Sequence, residues 1–282
     1  MEGAKGHEEG IGMGKGLSEW VAASILFAIV AALAVGAHAR NSLWKSEIDL
    51  WEDCIRKAPQ KERTHHNLGF AYYEVGRWEE AQREFGKALT LNPRHTLSMY
   101  NLGLVYYRKG MMEKAIDCCL KTLDLNCPPP DTYFNLGLAY CQRGRYSDAV
   151  KSFKRLLRMK PDYRNAYHHL GLAYQGSKQW DRAIESYRAE LERNPENPDS
   201  YLCLGDLYLE RKNYPKALVH FKKALAYPHL SGADRVRKIV SSIEGTPRLK
   251  NGRKSPTALN NDPSSRPVPL LREERDPFRG DS

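Results

Sequence analysis

The sequence lacks the residue spacings that mark metal sites, nucleotide sites and covalent catalysts. Its six cysteines form no Cys-x-x-Cys pair, and no His-x-x-x-His pair completes a zinc set. It contains no Gly-rich phosphate loop, no nucleophile elbow and no paired-histidine metal helix. These absences predict a protein that is not an enzyme and that holds no metal or cofactor.

Two pairs of adjacent histidines are the nearest approach to a metal site, His65-His66 and His168-His169. Adjacent residues on a helix point about 100° apart, so one pair cannot easily share a metal ion. The cysteine spacing argues for no disulfide framework. We interpret Cys119 as a small hydrophobic core residue.

The chain carries an excess of positive charge without a nucleic-acid motif. Its formal net charge is +10, which in general favours nucleic acid, anionic lipid or acidic peptides. Here Lys and Arg are interleaved with Glu and Asp on the repeats and partly concentrated in a C-terminal tail, and no base-stacking or groove-reading motif accompanies them. Nucleic-acid binding is therefore not expected.

Long hydrophobic runs are absent except for one, which extends from Trp20 to Ala39. Twenty helical residues span about 30 Å, the thickness of the hydrocarbon core of a bilayer. The run has no polar face, which disfavours a buried soluble helix. We predict a disordered tail over 1–18 and a transmembrane helix over 19–39. A cleaved signal peptide is the alternative, because Ala37-His38-Ala39 has the small-x-small form of a cleavage site.

The central part of the chain repeats with a period of 34 residues. Such a period is typical of stacked structural units. Five units are predicted, at 62–95, 96–129, 130–163, 164–197 and 198–230. A hexapeptide marks them, beginning at Asn67, Asn101, Asn135, His169 and Cys203.

Four positions of the unit are the same in all five copies. Numbered from the start of each unit, position 7 is Leu, position 8 is Gly, position 11 is Tyr and position 20 is Ala. Small residues at positions 8 and 20 allow two antiparallel helices to approach closely, and position 24 is large or apolar. Gly76, Gly110 and Gly144 mark a turn within the unit, and prolines near position 32 end its second helix.

This pattern resembles the tetratricopeptide repeat family over residues 62 to about 229. The resemblance implies an all-α solenoid, a right-handed superhelix of helix pairs whose concave face binds proteins or peptides. Helix pairs at this period cannot bury their apolar faces alone, so they must stack. Residues 40–61 are predicted to be a junction with one degenerate repeat helix, 231–245 a cap helix and 246–282 a disordered basic, Pro-rich tail.

The resemblance places the binding groove along the first helix of each unit, with positions 2, 5, 6, 9, 12 and 13 most available. An Asn side chain both donates and accepts, which suits an extended peptide backbone. The other predicted groove residues stand at positions 5, 6 and 12 and are mainly aromatic. The full set is Asn67, Asn101, Asn135, His66, Tyr100, Phe134, His168, His169, Tyr73 and Tyr107. The family's clamp for C-terminal carboxylates uses Asn at two places where this chain has Phe70 and Leu104, so that specificity does not carry over.

A shorter resemblance concerns the junction between the hydrophobic run and the repeats. Arg40-Asn41, Leu43-Trp44, Leu50 to Asp53, Lys57 to Pro59, Arg63 and His66 to Gly69 are similar to the junction in protein O-mannosyltransferase-like membrane proteins. In those proteins the repeats lie outside the cytoplasm. The resemblance implies the same orientation here, although the Lys and Arg residues on either side of the run favour the opposite one.

These observations lead to two hypotheses about function. The first is a single-pass, membrane-anchored scaffold, held through residues 20–39, that binds a protein or peptide of unknown identity in its groove. The second is an accessory subunit of a membrane glycosyltransferase or envelope-assembly complex. Catalysis by this chain is not expected, because the repeats take up nearly all the residues that could form a site.

Overall fold

The computed structural model describes residues 26–31, 46–125, 127–228 and 230–245. The predicted tail over 1–18, residues 19–25 and 32–39 of the predicted span, residues 40–45 and the tail over 246–282 lie outside the described residues. Residues 26–31 are helical. Within the described part of the chain, no helix is both long and apolar enough to cross a bilayer.

Twelve further helices make up the described fold, which has no strand among its described residues. Ten of them form five pairs; we call the first helix of a pair its A helix and the second its B helix. In order the helices are α1 Glu47–Lys57, α2 Glu62–Glu74, α3 Trp78–Leu91, α4 Thr96–Arg108, α5 Met112–Leu123, α6 Asp131–Gln142, α7 Tyr146–Met159, α8 Ala166–Gly176, α9 Trp180–Arg193, α10 Pro198–Glu210, α11 Tyr214–Leu225 and α12 Ala233–Gly245. The prediction of an all-α solenoid of stacked helix pairs is confirmed.

Local sequence signals set several helix ends. Ser46 caps α1 by accepting a hydrogen bond from the backbone N–H of Asp49 at 3.2 Å. Asn197 caps α10 in the same way, and Pro198 occupies the first turn, where its missing N–H costs nothing. The A helices begin within two residues of the predicted unit starts.

A ring from the B helix packs against the position-8 glycine of the A helix in four of the five units. A Cβ added to Gly137 would lie 2.6 Å from the Phe153 ring, and one added to Gly171 would lie 2.6 Å from the Tyr187 ring. Real Cβ atoms essentially never come this close, so only glycine fits. In the second unit position 24 is Cys119. A Cβ added to Gly103 would instead lie nearest to the Cβ of Cys118, at 3.2 Å.

The turn within each unit places one residue in the left-handed region. Gly76, Gly110 and Gly144 have φ between 69° and 76°. The fourth and fifth units have Lys178 and Lys212 at this position, with φ of 61° and 57°. A left-handed conformation costs a residue with a side chain about 1–2 kcal/mol, so these two turns carry strain that the first three avoid.

The buried side chains form two hydrophobic clusters that meet in the second unit. One contains Leu68, Phe85 and Val105, with Ile48, Trp51 and Ile55 of α1 packed against it. The other extends from Ile116 to Val240. Cys119 is buried in the second cluster, and burial raises the pKa of its thiol to about 12, so the thiol stays protonated. Helix α1 therefore covers one end of the stack.

Helix α12 covers the other end of the stack. Its side chains Val236, Val240 and Ile243 are buried. The same helix carries Arg235, whose side chain is only 22% exposed. Its guanidinium donates to Asp206 on α10 at 2.9 Å, and both side chains are largely buried. An ion pair, in addition to apolar contact, therefore fastens α12 to the last repeat.

Candidate functional site

The structure divides the predicted groove residues by exposure. Four of them are partly exposed and six are buried between helices. The partly exposed ones are His66, Asn67, Tyr100 and Tyr107. The buried ones are Tyr73, Asn101, Phe134, Asn135, His168 and His169. Burial does not decide whether a side chain contacts a ligand, so the whole set stays a prediction.

The position-5 residues contact the next repeat. His66 shares a hydrogen bond with Ser98 at 3.1 Å, and His168 shares one with Ser200 at 2.8 Å. Each serine stands 32 residues after its histidine, at position 3 of the following unit. The sequence therefore contains a signal for this contact, a His followed by a Ser 32 residues later. The signal can be recognised only once the main period of 34 residues is known. These two contacts fasten neighbouring A helices to each other.

The Asn residues at position 6 have unequal surroundings. Asn135 is 3% exposed, and its Nδ2 donates to Tyr100 Oη at 3.1 Å. Its Oδ1 has no hydrogen-bond partner among the described residues. A buried carbonyl oxygen without a donor costs about 1–3 kcal/mol, so this atom is an acceptor in need of a partner. Asn67 is the most accessible of the three.

Large apolar side chains are exposed at groove positions near the N-terminal end of the array. Phe70, at position 9, is 42% exposed and stacks on Tyr73 with 6.4 Å between ring centroids. Leu97, at position 2 of the next unit, is 51% exposed. Leu104, Leu138 and Leu172 occupy position 9 in the middle units and are buried. The accessible apolar surface at these positions therefore lies on the first two units.

The histidines have packing partners. Burial, and to a smaller extent the charge of His95, lowers the pKa of His66 to about 4. Burial alone lowers the pKa of His169 to about 4, so both rings are neutral near pH 7. His65 Nδ1 contacts the buried carboxylate of Glu84 at 2.7 Å, and its Nε2 contacts the carbonyl of Pro59 at 2.9 Å. The described residues include no group of three or more His, Cys, Asp or Glu that could hold a metal ion.

Solved structures with the same fold are numerous. YrrB, described as a TPR protein with an unusual peptide-binding site, is 23% identical, with a TM-score of 0.58 over 67% of this chain and 97% of its own. MamA is 27% identical, with a TM-score of 0.54 over 56% of this chain and 93% of its own. PilW, described as a widely conserved type IV pilus biogenesis factor, is 18% identical, with a TM-score of 0.60 over 67% and 87%. A comparison with curated proteins gives no match.

Three family models match the chain itself. One described as TPR repeat matches residues 137–178, and two described as tetratricopeptide repeat match residues 168–231 and 60–127. Together these ranges cover the five helix pairs that the structure describes, except for the first six residues of α6. The helix pairs of this chain are thus tetratricopeptide repeats.

Proposed function

We propose that this chain is a membrane-anchored tetratricopeptide-repeat scaffold that binds a protein or peptide along its A helices. The observation that carries the proposal is the exposed apolar surface of Phe70 and Leu97 at groove positions. Exposed apolar groups at a binding surface release water when a partner covers them. Tetratricopeptide folds generally bind proteins or peptides, and YrrB, with the same fold, is described as having a peptide-binding site.

Polar groups beside this surface would orient the partner. Asn67 presents an amide that can both donate to and accept from a peptide backbone. Asn101 and Asn135 are buried, so they contribute only where a partner displaces the side chains over them. We therefore expect recognition to be strongest on the first two units and to weaken toward the third.

The binding surface is tested by paired substitutions in the full chain. Replacing Phe70 and Leu97 by Ala is expected to reduce partner recovery roughly tenfold, since each substitution removes most of an apolar side chain that the partner would cover. The matched control replaces Leu120 and Val219, which are exposed to 44% and 53% on B helices. Cross-linked affinity purification from membranes measures recovery. An equal loss of partner recovery in both variants would show that the A-helix surface is not the binding surface.

The anchor and its orientation rest on the sequence. The apolar run from Trp20 to Ala39 supports a single span, and the junction resemblance favours repeats on the extracytoplasmic side. Protease added to intact cells is then expected to digest the repeats. Digestion only after lysis and membrane inversion would place the repeats in the cytoplasm and reverse this orientation.

A further inference from the structure

The tyrosine at position 11 of every repeat lies beneath a cation. In the first and third units a cation comes from position 16, and in the others from position 19. The ring of Tyr174 has a second cation, Lys154 of the preceding unit, at 5.7 Å. The pairs and their distances to the ring centroid are Arg77 on Tyr72 at 4.5 Å, Lys114 on Tyr106 at 5.5 Å, Arg145 on Tyr140 at 4.4 Å, Arg182 on Tyr174 at 5.8 Å and Lys216 on Tyr208 at 5.4 Å. Contacts of this kind stabilise a fold by about 0.5–1 kcal/mol at exposed sites.

Carboxylates neutralise this arrangement in two of the units. Arg77 pairs with Glu80 at 2.7 Å, and Arg145 pairs with Asp148 at 2.9 Å. The carboxylate stands at position 19, the position that supplies the cation in the other units. Where the cation comes from position 16, a carboxylate three residues later in the same unit therefore balances its charge.

The last repeat gathers cations without such a balance. The Nη2 of Arg188, on α9, donates to Tyr208 Oη at 2.7 Å. Lys223, on α11, lies 5.4 Å from the ring centroid of Tyr201. The imidazole of His220 stacks on Tyr208 with 5.4 Å between centroids and an 11° interplanar angle. We call these residues, with Lys216, the Tyr208 cluster: Arg188, Tyr201, Tyr208, Lys216, His220 and Lys223.

No carboxylate of the described residues pairs with the cations of the Tyr208 cluster. Arg188, Lys216 and Lys223 form no ion pair within 4.0 Å there, although Lys222, beside them, pairs with Glu244 at 2.6 Å. Glu185 and Glu192 share α9 with Arg188 but form no ion pair with it. The cluster therefore concentrates three positive charges between two B helices.

The environment of His220 reports this concentration of charge. Burial, followed by the charges of Lys223, Arg188 and Lys216, lowers the pKa of its imidazole to about 4. Its Nδ1 is buried and has no hydrogen-bond partner within the described part of the chain. An anion placed among the three cations would oppose their effect on the pKa of His220. It could also accept a hydrogen bond from the protonated ring.

We propose that the Tyr208 cluster binds a phosphate group, on the B-helix side of the last two repeats. Three cations from α9 and α11 more than balance the two negative charges of a phosphate dianion. The guanidinium of Arg188 can offer it paired N–H donors, and the two lysines can approach as point charges. The first three repeats place one cation on this tyrosine and the fourth places two, Lys154 and Arg182, whereas the Tyr208 cluster holds three. The proposal is independent of the A-helix binding surface.

The test titrates the full chain with inorganic phosphate and follows the His220 imidazole by NMR. Saturable binding with a raised pKa of His220 is expected, because protonation and anion binding favour each other. Replacing Arg188, Lys216 and Lys223 by Gln is expected to weaken binding at least about tenfold. The control replaces Arg155, Arg158 and Lys160 by Gln, which removes the same charge from the exposed surface of α7 and its C-terminal end. If both variants weaken phosphate binding equally, binding depends only on net charge, and the proposal is overturned.

Vesicles separate the two sources of phosphate. Phosphatidic acid vesicles present a phosphomonoester, whereas phosphatidylcholine vesicles do not. Both Gln variants keep residues 20–39 and the C-terminal tail, so their difference isolates the cluster. Selective loss of phosphatidic acid binding in the cluster variant assigns the site to a lipid headgroup. Saturable binding of free phosphate without vesicle selectivity assigns it to a soluble phosphate. If neither phosphate nor vesicle binding depends on the cluster, the proposal is wrong.

Discussion

Replacing Phe153 by Ala is expected to lower the free energy of unfolding by about 3–5 kcal/mol. The Phe153 side chain is fully buried, and its ring fills the space that Gly137 leaves open on the facing A helix. It also packs 5.8 Å from Phe134 and 6.0 Å from His169, measured between ring centroids. One side chain therefore joins the helices of the third unit to each other and to the fourth unit.

The location of the damage tests this reasoning as well as its size. A repeat contacts only its neighbours, so the array should lose its cooperativity between the third and fourth units. Chemical denaturation measures the free energy, and hydrogen exchange locates the region that opens. Leu120→Ala serves as the control, because this exposed side chain should change stability by less than about 0.5 kcal/mol. A loss below about 1 kcal/mol for Phe153→Ala would show that the ring does not hold the units together.

Replacing His65 by Leu is expected to cost roughly 3 kcal/mol of stability. The substitution leaves the buried Glu84 carboxylate with only Lys87 at 2.8 Å, and it leaves the Pro59 carbonyl without the contact at 2.9 Å. Pro59 ends the junction segment after α1, so His65 fastens that segment to the first repeat. Removing one member of a buried pair exposes the desolvation cost of the other.

The double substitution of His65 and Glu84 by Leu separates this cost from simple loss of packing. Removing both polar partners together is often close to neutral, so the double variant should be more stable than His65→Leu alone. Thermal and denaturant unfolding of the wild type, His65→Leu, Glu84→Leu and the double variant complete this double-mutant cycle. If the two single losses simply add in the double variant, the pair contributes no coupling and the junction is held by other contacts.

The repeat contacts could be predicted from the sequence because they recur. Gly at position 8 and a ring at position 24 stand in fixed register, and their contact depends on one helix pair only. The helix starts and the left-handed turn at Gly76, Gly110 and Gly144 follow from the same local signals. Lys178 and Lys212 adopt that turn too, because the surrounding helices fix its geometry whatever residue stands there.

The candidate site was less predictable because it depends on how neighbouring repeats face each other. Phe134 and His168 stand at family groove positions, yet both are buried here. The contact of His168 with Ser200 depends on the spacing between units, which one repeat does not reveal. Arg235 similarly pairs with Asp206 across two helices that are not neighbours in the repeat pattern. Exposure of Phe70 at the same position where Leu138 is buried could not be deduced from the motif.

Partner capture by the full chain from membranes tests the central claim most directly. The claim is that partners bind along the A helices of the first repeats, where Phe70 and Leu97 are exposed. Cross-linked affinity purification compares the wild type, the variant with Ala at Phe70 and Leu97, and the variant with Ala at Leu120 and Val219. The same proteins should be recovered with the wild type and the B-helix variant and should be lost with the A-helix variant. Full recovery with the A-helix variant would contradict the claim.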